Sequence, residues 1–323
     1  MMDYILIFII IFFLAFYYKK IALKFNIIDS PNHRSSHTKP TIRGGGVIFT
    51  VAILLFYFFN NFQYPFFVFG VLMASIISFL DDIYTLPSKI RFPIQMLAVF
   101  LILLEVGLPF SPIYIFVFSL FFGVGIVNMF NFMDGINGIT GLYSLATLSG
   151  LYLINAQEQL INSDLIIYTA ISLLIFGFYN FRKKALFFAG DIGSITIGML
   201  LFFIGLYFTY VLASPLILCT VIVYGADATI TLLYRKLCTK ESVFDPHRHH
   251  IYQKLVHIKK IAHLKVALGY VIIQMLINVI VLKSYRLALQ TQLFIFIGLV
   301  FLFVVSYIFL FYKLEKAKKD NCQ

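Results

Sequence analysis

The sequence predicts an all-α, polytopic integral membrane protein. Three observations carry this reading. The 323 residues are 61% hydrophobic, 18% aromatic and 12% charged, whereas soluble domains are typically about 45–50% apolar and about 25% charged. The apolar residues fall in long runs separated by short polar stretches, without the alternation of transmembrane β-strands. The 25 basic residues outnumber the 14 acidic ones and sort to one side of those runs. A water-soluble globule, a disordered chain and a coiled coil are excluded by the same composition. Cys219, Cys238 and Cys322 form no C-x-x-C pattern, so neither a disulfide framework nor a structural zinc site is expected.

About eleven helical spans follow in order, at 4–18, 44–60, 65–80, 92–107, 112–130, 138–155, 164–181, 192–208, 211–234, 265–282 and 291–312. Each is near the roughly 17–25 residues that a bilayer requires. The first, Tyr4 to Tyr18, is followed by Lys19 and Lys20 and lacks a basic leader and a small-residue cleavage site. It reads as a retained span, not a signal peptide. The second opens on Gly44-Gly45-Gly46, the third closes on Asp81-Asp82, and the eighth opens on Gly190-Asp191. Only a short break around Tyr210 to Pro215 separates the eighth from the ninth.

An odd number of spans puts the termini on opposite sides. The segments on one side hold 23 basic residues, and Lys283 and Arg286 alone lie on the other. The N-terminus is therefore expected in the periplasm and the C-terminus in the cytoplasm. Residues 1–323 read as a single transmembrane catalytic domain, with segments 19–43, 81–91, 131–138, 182–191 and 235–264 building the site. The positive charge sets topology and grips phosphate. No nucleic-acid partner is expected.

The chemistry-bearing residues close or open these spans. Asp81 and Asp82 follow Ser78-Phe79-Leu80, and adjacent carboxylates at a membrane boundary are costly without a cation. A solvated helix end is the plainer explanation, but the neighbouring charges, Lys89 and Arg91, are cations suited to phosphate. Asn128-x-x-Asn131-x-x-Asp134-Gly-Ile-Asn137-Gly closes the fifth span. At about 100° per residue, Asn128, Asn131 and Asp134 share an arc of about 120°. A glycine-stopped helix end explains Gly135, but not two Asn in an apolar helix, where buried polar groups need partners.

Phe188-Ala189-Gly190-Asp191-Ile192-Gly193-Ser194 leads into the eighth span. A glycine-flanked turn entering a helix is a ready anion site, and Asp191 would bring Mg²⁺ to bridge phosphate oxygens. A simple N-terminal cap is the alternative. Asn180, just ahead of Arg182-Lys183-Lys184, is placed to orient either group. His247-Arg248-His249-His250 offers three imidazoles and a guanidinium in the long segment 235–264. Its spacing differs from the i, i+4 pattern of a helical zinc site, which favours phosphate or substrate contact over metal. A basic loop drawn to anionic lipid is the simpler reading. Segment 29–46, ending Arg43-Gly44-Gly45-Gly46, is a weak signal for a diphosphate cradle. Asp227, inside the ninth span, is expected to face the bundle interior, as a structural or a site residue. Four polar clusters on one membrane face suit metal-assisted phosphoryl transfer between a lipid-borne phosphate and a water-soluble nucleotide.

At these residues the sequence resembles the polyprenyl-phosphate N-acetylhexosamine-1-phosphate transferase family, bacterial glycosyltransferase family 4, which includes the lipid I-forming translocase. The Asp-Asp pair, the Asn-x-x-Asn-x-x-Asp-Gly-x-x-Gly run, the Gly-Asp-x-Gly-Ser turn and the His-rich loop occur in family order over nearly the whole chain. The Pro-Asn-x-Arg-Ser-Ser-His loop and His-Arg-His-His-x-Tyr-Gln look most like the O-antigen-initiating subgroup. The resemblance implies an enzyme of the inner membrane with a cytoplasmic site. It would transfer HexNAc-1-phosphate of GlcNAc, QuiNAc or FucNAc type from a UDP-sugar to undecaprenyl phosphate, releasing UMP and initiating O-antigen, lipopolysaccharide or a related envelope glycan. It implies Mg²⁺, with Mn²⁺ as a substitute, and is compatible with a homodimer.

By the same resemblance, Asp191 coordinates the metal, and Asp81 and Asp82 lie beside the lipid phosphate, one of them a candidate base. Asn131, Asp134 and Asn180 line the nucleotide-sugar site, with Asn128, Asn137 and Phe188 beside them. His247, Arg248, His249 and His250 contact diphosphate or sugar, and Lys89 and Arg91 match a basic pair after the acids. One departure stands out: the family run usually ends Asp-Gly-x-Asp-Gly, and here the second acid is Asn137. An amide binds a cation less well than a carboxylate, so Asn137 is not expected to be an essential ligand. Two rivals fit less well. An ion-coupled transporter would show midplane charges and an internal repeat, and a CDP-alcohol phosphotransferase would carry an Asp-Gly…Ala-Arg signature that this chain lacks.

Overall fold

The computed structural model describes residues 2–31, 40–239 and 248–320. In chain order the elements are α1 (Met2–Lys24), β1 (Ile28–Asp29), β2 (Thr41–Ile42), α2 (Val47–Phe59), α3 (Pro65–Tyr84), α4 (Ser88–Val106), α5 (Ile113–Met133), α6 (Ile139–Glu158), α7 (Ser163–Asn180) and α8 (Gly190–Val211). A 3₁₀ segment, Pro215–Val221, leads into α9 (Ile222–Tyr234) and a π-helical turn, Arg235–Thr239. Then follow α10 (Ile251–His257), α11 (His263–Ser284) and α12 (Leu289–Asp320). The chain is an all-α, polytopic membrane protein. Among the described residues nine helical segments are long and apolar enough to cross a bilayer, while α2 is shorter.

The eleven predicted spans fall on helical segments, but the second and fourth, on α2 and α4, are not among those nine, and several ends lie further along. Apolar runs mark what lipid must cover, whereas a helix continues until its backbone is capped. Thus α3 runs on through Asp81 and Asp82 and stops at Thr85, whose left-handed φ of 52° lets its N–H reach the Asp81 carbonyl. Likewise α4 begins early enough to carry Lys89 and Arg91 in its first turn, and Asp191 lies in the first turn of α8. Helix α12 extends past the predicted end at 312.

Helix α8 is the centre of the bundle. Its most apolar stretch is 83% buried, against 11% for that of α12. In lipid, apolar surface gives helices little reason to associate, so close packing of small residues and polar ties must do it. Both are present. A Cβ added to Gly46 would lie 2.2 Å from Gly193 Cα, so the start of α2 can approach α8 only as glycine. Thr50 of α2, Ser75 of α3 and Thr196 of α8 join their hydroxyls at 3.0, 3.0 and 2.8 Å.

At the end of the bundle that carries Asp81 and Asp191, the chain ahead of α2 is stitched to the chain ahead of α8. Strands β1 and β2 pair antiparallel. Phe188 N–H donates to the Ile42 carbonyl at 2.8 Å, Gly45 N–H to Phe188 at 2.8 Å, and Gly46 N–H to Ala189 at 2.9 Å. This seam fixes Arg43 directly beside the start of α8.

Candidate active site

Three aspartates and two arginines form one alternating chain. Arg91 Nη1 bonds Asp81 Oδ2 at 2.5 Å and Asp191 Oδ2 at 3.1 Å. Arg43 Nη2 meets Asp191 Oδ1 at 3.2 Å, and its Nε meets Asp82 Oδ1 at 2.7 Å. The order is Asp81, Arg91, Asp191, Arg43, Asp82. Residues from α3, α4, α8 and the β2 seam thereby meet. Burial disfavours the Arg43 charge, but Asp82, Asp191 and Asp29 more than offset it and hold its pKa above the ordinary value.

The three acids are not equivalent. The Asp82 side chain is fully buried at 0% exposure, and its two oxygens also accept the N–H groups of Asp191 at 2.9 Å and Ile192 at 3.2 Å. The N-terminus of α8, expected to be open for an anion, is therefore capped by Asp82 from α3. Gly190 permits this, because a Cβ there would stand 2.4 Å from Asp82 Oδ2. Asp81 is tied through Oδ1 to the N–H of Leu86 at 2.6 Å. Asp191, at the middle of the chain, is the most accessible at 19%.

The residues fit a hard divalent cation at Asp191. The chain holds one more carboxylate than guanidinium, and each Asp191 oxygen keeps a lone-pair direction beyond its arginine contact. Among the described residues no three His, Cys, Asp or Glu side chains group around a metal position. A cation held at Asp191 would thus take most of its shell from phosphate oxygens and water, as Mg²⁺ does.

A cleft of about 290 Å³ opens beside this chain, lined among others by Arg43, Asn131, Asp134, Phe188, Asp191 and Gln253. Asn131 donates to Ser194 Oγ at 3.2 Å, tying α5 to α8. Asp134 follows the last turn of α5, and burial, reinforced by the Asp191 charge, pushes its carboxyl up to about 6. Gly135 has no room for a side chain, since the Tyr252 hydroxyl would lie 2.2 Å from its Cβ.

Other expected site residues also hold the surrounding helices and turns, and of these Asn137 and Asn180 line the cleft. Asn128 donates to Gln95 Oε1 and to the Val124 carbonyl, both at 2.9 Å, and so joins α5 to α4. Asn180 accepts from Gly138 N–H and donates to the Phe187 carbonyl, each at 2.7 Å. It lines the cleft, yet its hydrogen bonds hold two turns in place. Asn137 donates to the carbonyls of Arg182 at 3.0 Å and Lys183 at 3.2 Å. A carboxylate offers no hydrogens for those contacts, which accounts physically for an amide at this position.

The basic pair divides, because Arg91 turns into the ion chain while Lys89 is exposed. The His-rich cluster divides as well. His247 lies outside the described residues. Arg248 and His249 are half-buried, and the His249 ring lies 5.8 Å from that of Tyr234. His250 is buried, with Nδ1 3.1 Å from Asp227 Oδ1. This contact ties His250 to α9.

Two site residues were given no role of their own in the sequence expectation, Arg43 and Gln253. Arg43 stands in the Arg-Gly-Gly-Gly loop read as a weak signal, and only its seam with residues 187–189 reveals its place. Gln253 closes the His-Arg-His-His-x-Tyr-Gln stretch, which marked the segment and not the residue.

Residues 64–209 match the family model described as Glycosyl transferase family 4. A Bacillus subtilis (strain 168) protein named "Probable undecaprenyl-phosphate N-acetylglucosaminyl 1-phosphate transferase" is 27% identical over 315 residues, covering 89% of this chain and 86% of that protein. The Yersinia pestis undecaprenyl-phosphate alpha-N-acetylglucosaminyl 1-phosphate transferase is 29% identical, covering 78% of this chain and 76% of its own length. A Thermotoga maritima protein of the same name is 26% identical, with coverages of 77% and 80%. The ordered motifs, the family match and these relatives point the same way: the chain is similar to glycosyl transferase family 4 over residues 64–209, and to undecaprenyl-phosphate N-acetylglucosaminyl 1-phosphate transferases over most of its length.

Proposed function

We propose that this protein transfers an N-acetylhexosamine 1-phosphate from a UDP-activated donor to undecaprenyl phosphate, releasing UMP. The observation that carries the reading is the alternating chain of Asp81, Arg91, Asp191, Arg43 and Asp82 beside a polar cleft at the ends of apolar helices. It joins phosphate-binding cations and metal-binding acids where a lipid phosphate and a soluble nucleotide can meet. The relatives' names carry the same reaction class with N-acetylglucosamine, which makes that sugar the first to test beside the QuiNAc and FucNAc types. The product would start O-antigen, lipopolysaccharide or a related envelope glycan. The 23 basic residues assigned to one side support a cytoplasmic active site in the inner membrane, with the N-terminus in the periplasm.

In the proposed reaction an oxygen of the lipid phosphate forms a bond to the sugar-linked phosphorus. The bond from that phosphorus to the oxygen it shares with the uridylyl phosphate breaks, and UMP departs with that oxygen. Arg91 Nε is buried without a hydrogen-bond partner among the described residues, a donor that a phosphate oxygen would satisfy. Arg43 and Arg91 draw the phosphates together, Asp81 is the candidate base for a protonated lipid phosphate, and Asp82 holds the start of α8. Asn131 and Asp134 meet the nucleotide sugar, while Asn137 and Asn180 fix the turns beneath it. Lys89, exposed on α4, suits the lipid headgroup, and Arg248 and His249, half-buried, are the members of their cluster assigned to the diphosphate. When bound at Asp191, Mg²⁺ supplies charge neutralisation on the phosphates.

The test uses purified protein in nanodiscs with Mg²⁺, undecaprenyl phosphate and a panel of UDP-sugars. UMP release with at least one HexNAc donor is expected, and none with any donor would overturn the reading. Labelled UMP should not exchange into UDP-sugar without acceptor. Exchange would instead point to a covalent aspartyl intermediate.

A further inference from the structure

Within the cleft, Gln253 carries an unfinished hydrogen bond. It lies on α10, a short helix held at several points. Ile251 N–H donates to Asp227 Oδ1 at 3.1 Å, and the Tyr252 hydroxyl donates to the Phe132 carbonyl at 3.1 Å. Lys254 pairs with Glu315 of α12 and lies 3.8 Å above the ring of Phe311. Gln253 sits among these fixed points and lines the cleft with Asn131 and Asp134. Its Oε1 is buried and has no hydrogen-bond partner among the described residues.

A buried amide oxygen without a donor is unfavourable, and the anchors restrict its escape to water. What it lacks is an N–H or O–H. Ionised phosphate oxygens carry no such hydrogen and would repel it. The atom therefore suits an uncharged, hydrogen-bond-donating part of the ligand. The proposed donor has two parts with an N–H: the uracil imide and the acetamido group of the sugar. We infer that Gln253 is a specificity residue whose amide oxygen accepts an N–H from the nucleotide sugar. This rests on the proposed transfer reaction.

The experiment measures UMP release by the full chain in nanodiscs. It compares UDP-GlcNAc with an N3-methyluracil analogue and with an analogue whose acetamido N–H is replaced by an ester oxygen. The wild type should disfavour one analogue by about tenfold or more in kcat/KM, since a site built around a hydrogen bond rejects a ligand that lacks it. Gln253→Leu should raise KM for UDP-GlcNAc by about tenfold, leave kcat within about threefold, and lose that discrimination. The analogue involved identifies the N–H. Gln253→Leu should also melt no lower than wild type, because it removes an unsatisfied buried oxygen; a packing role would lower the melting temperature. Gln253→Glu keeps an acceptor and should retain the discrimination, and it serves if the Leu variant does not fold. Unchanged KM and unchanged discrimination in Gln253→Leu would overturn the inference and leave the transfer reaction standing. A wild type inactive with every donor would overturn both.

Discussion

Two acidic centres lie near the same end of the bundle, and they differ in kind. Around Asp191, three carboxylates alternate with two guanidiniums, and the central acid stays 19% exposed beside a cleft. Around Asp227, one carboxylate at 3% exposure is enclosed by His250 Nδ1 and Ile251 N–H at 3.1 Å, Thr231 Oγ1 at 3.2 Å and Tyr270 OH at 2.5 Å. The first centre has negative charge to spare and access to a ligand. The second has its oxygens occupied and ties α9, α10 and α11 together. An acid in a membrane helix is therefore not in itself a sign of chemistry. Its partners and its access decide.

The largest effect should separate the centres by turnover. Asp191→Asn should lower UMP release by about 10²–10³-fold or more, as loss of an electrostatic catalytic group does, while the protein elutes and melts like wild type. Near-normal turnover would remove Asp191 from the proposed metal role. Asp227→Ala should do the opposite. Stripping the acid from a buried pair removes its contacts with His250 Nδ1, Ile251 N–H, Thr231 Oγ1 and Tyr270 OH, at a cost of about 3–5 kcal/mol, read as a lower melting temperature in detergent. Turnover per folded molecule should fall far less than in Asp191→Asn, and only because α10 and Gln253 lose the Ile251–Asp227 anchor; a variant that melts normally but loses turnover as Asp191→Asn does would erase the contrast.

Asn137 sharpens the comparison on a smaller scale, since it too has its donors occupied, by the carbonyls of Arg182 and Lys183. Placing an acid there, as in the family run that this sequence resembles, should not raise UMP release. Asn137→Asp should destabilise by about 1–3 kcal/mol, because a carboxylate would face two carbonyl oxygens. Higher turnover with wild-type melting would contradict the assignment. The smallest effect concerns Asp134, whose carboxyl burial raises from 3.8 to about 6. The folded chain holds this proton more tightly than the unfolded chain. The stabilisation is complete below about pH 4 and is lost as pH rises through about 6. Relative to wild type, Asp134→Asn should therefore melt higher at pH 7 than at pH 5, and a flat difference would count against the shift.

The helices were legible because lipid demands long apolar runs whatever the tertiary structure. Asp81, Asp134 and Asp191 were legible because charges at the ends of such runs stand out. The partnerships were not. Asp82 as the cap of α8, and Arg43 as the bridge to Asp191, depend on a glycine-lined approach between segments more than 100 residues apart, and local periodicity carries no record of that. The His250 contact was hidden for the same reason. A His beside an Arg and another His reads as a ligand cluster, and only the fold shows Asp227, 23 residues earlier, within 3.1 Å of its Nδ1.

Helix α12 has a consequence for where Gln253 sits. Its 32 residues span about 48 Å at 1.5 Å per residue, well beyond the roughly 30 Å hydrocarbon layer. Glu315, near the C-terminal end of that length, is where Lys254 of α10 is moored. The position of Gln253 at the cleft is thus tied to the last helix of the chain, so a change in the tilt of that helix would move Gln253 without touching Asp81, Asp82 or Asp191.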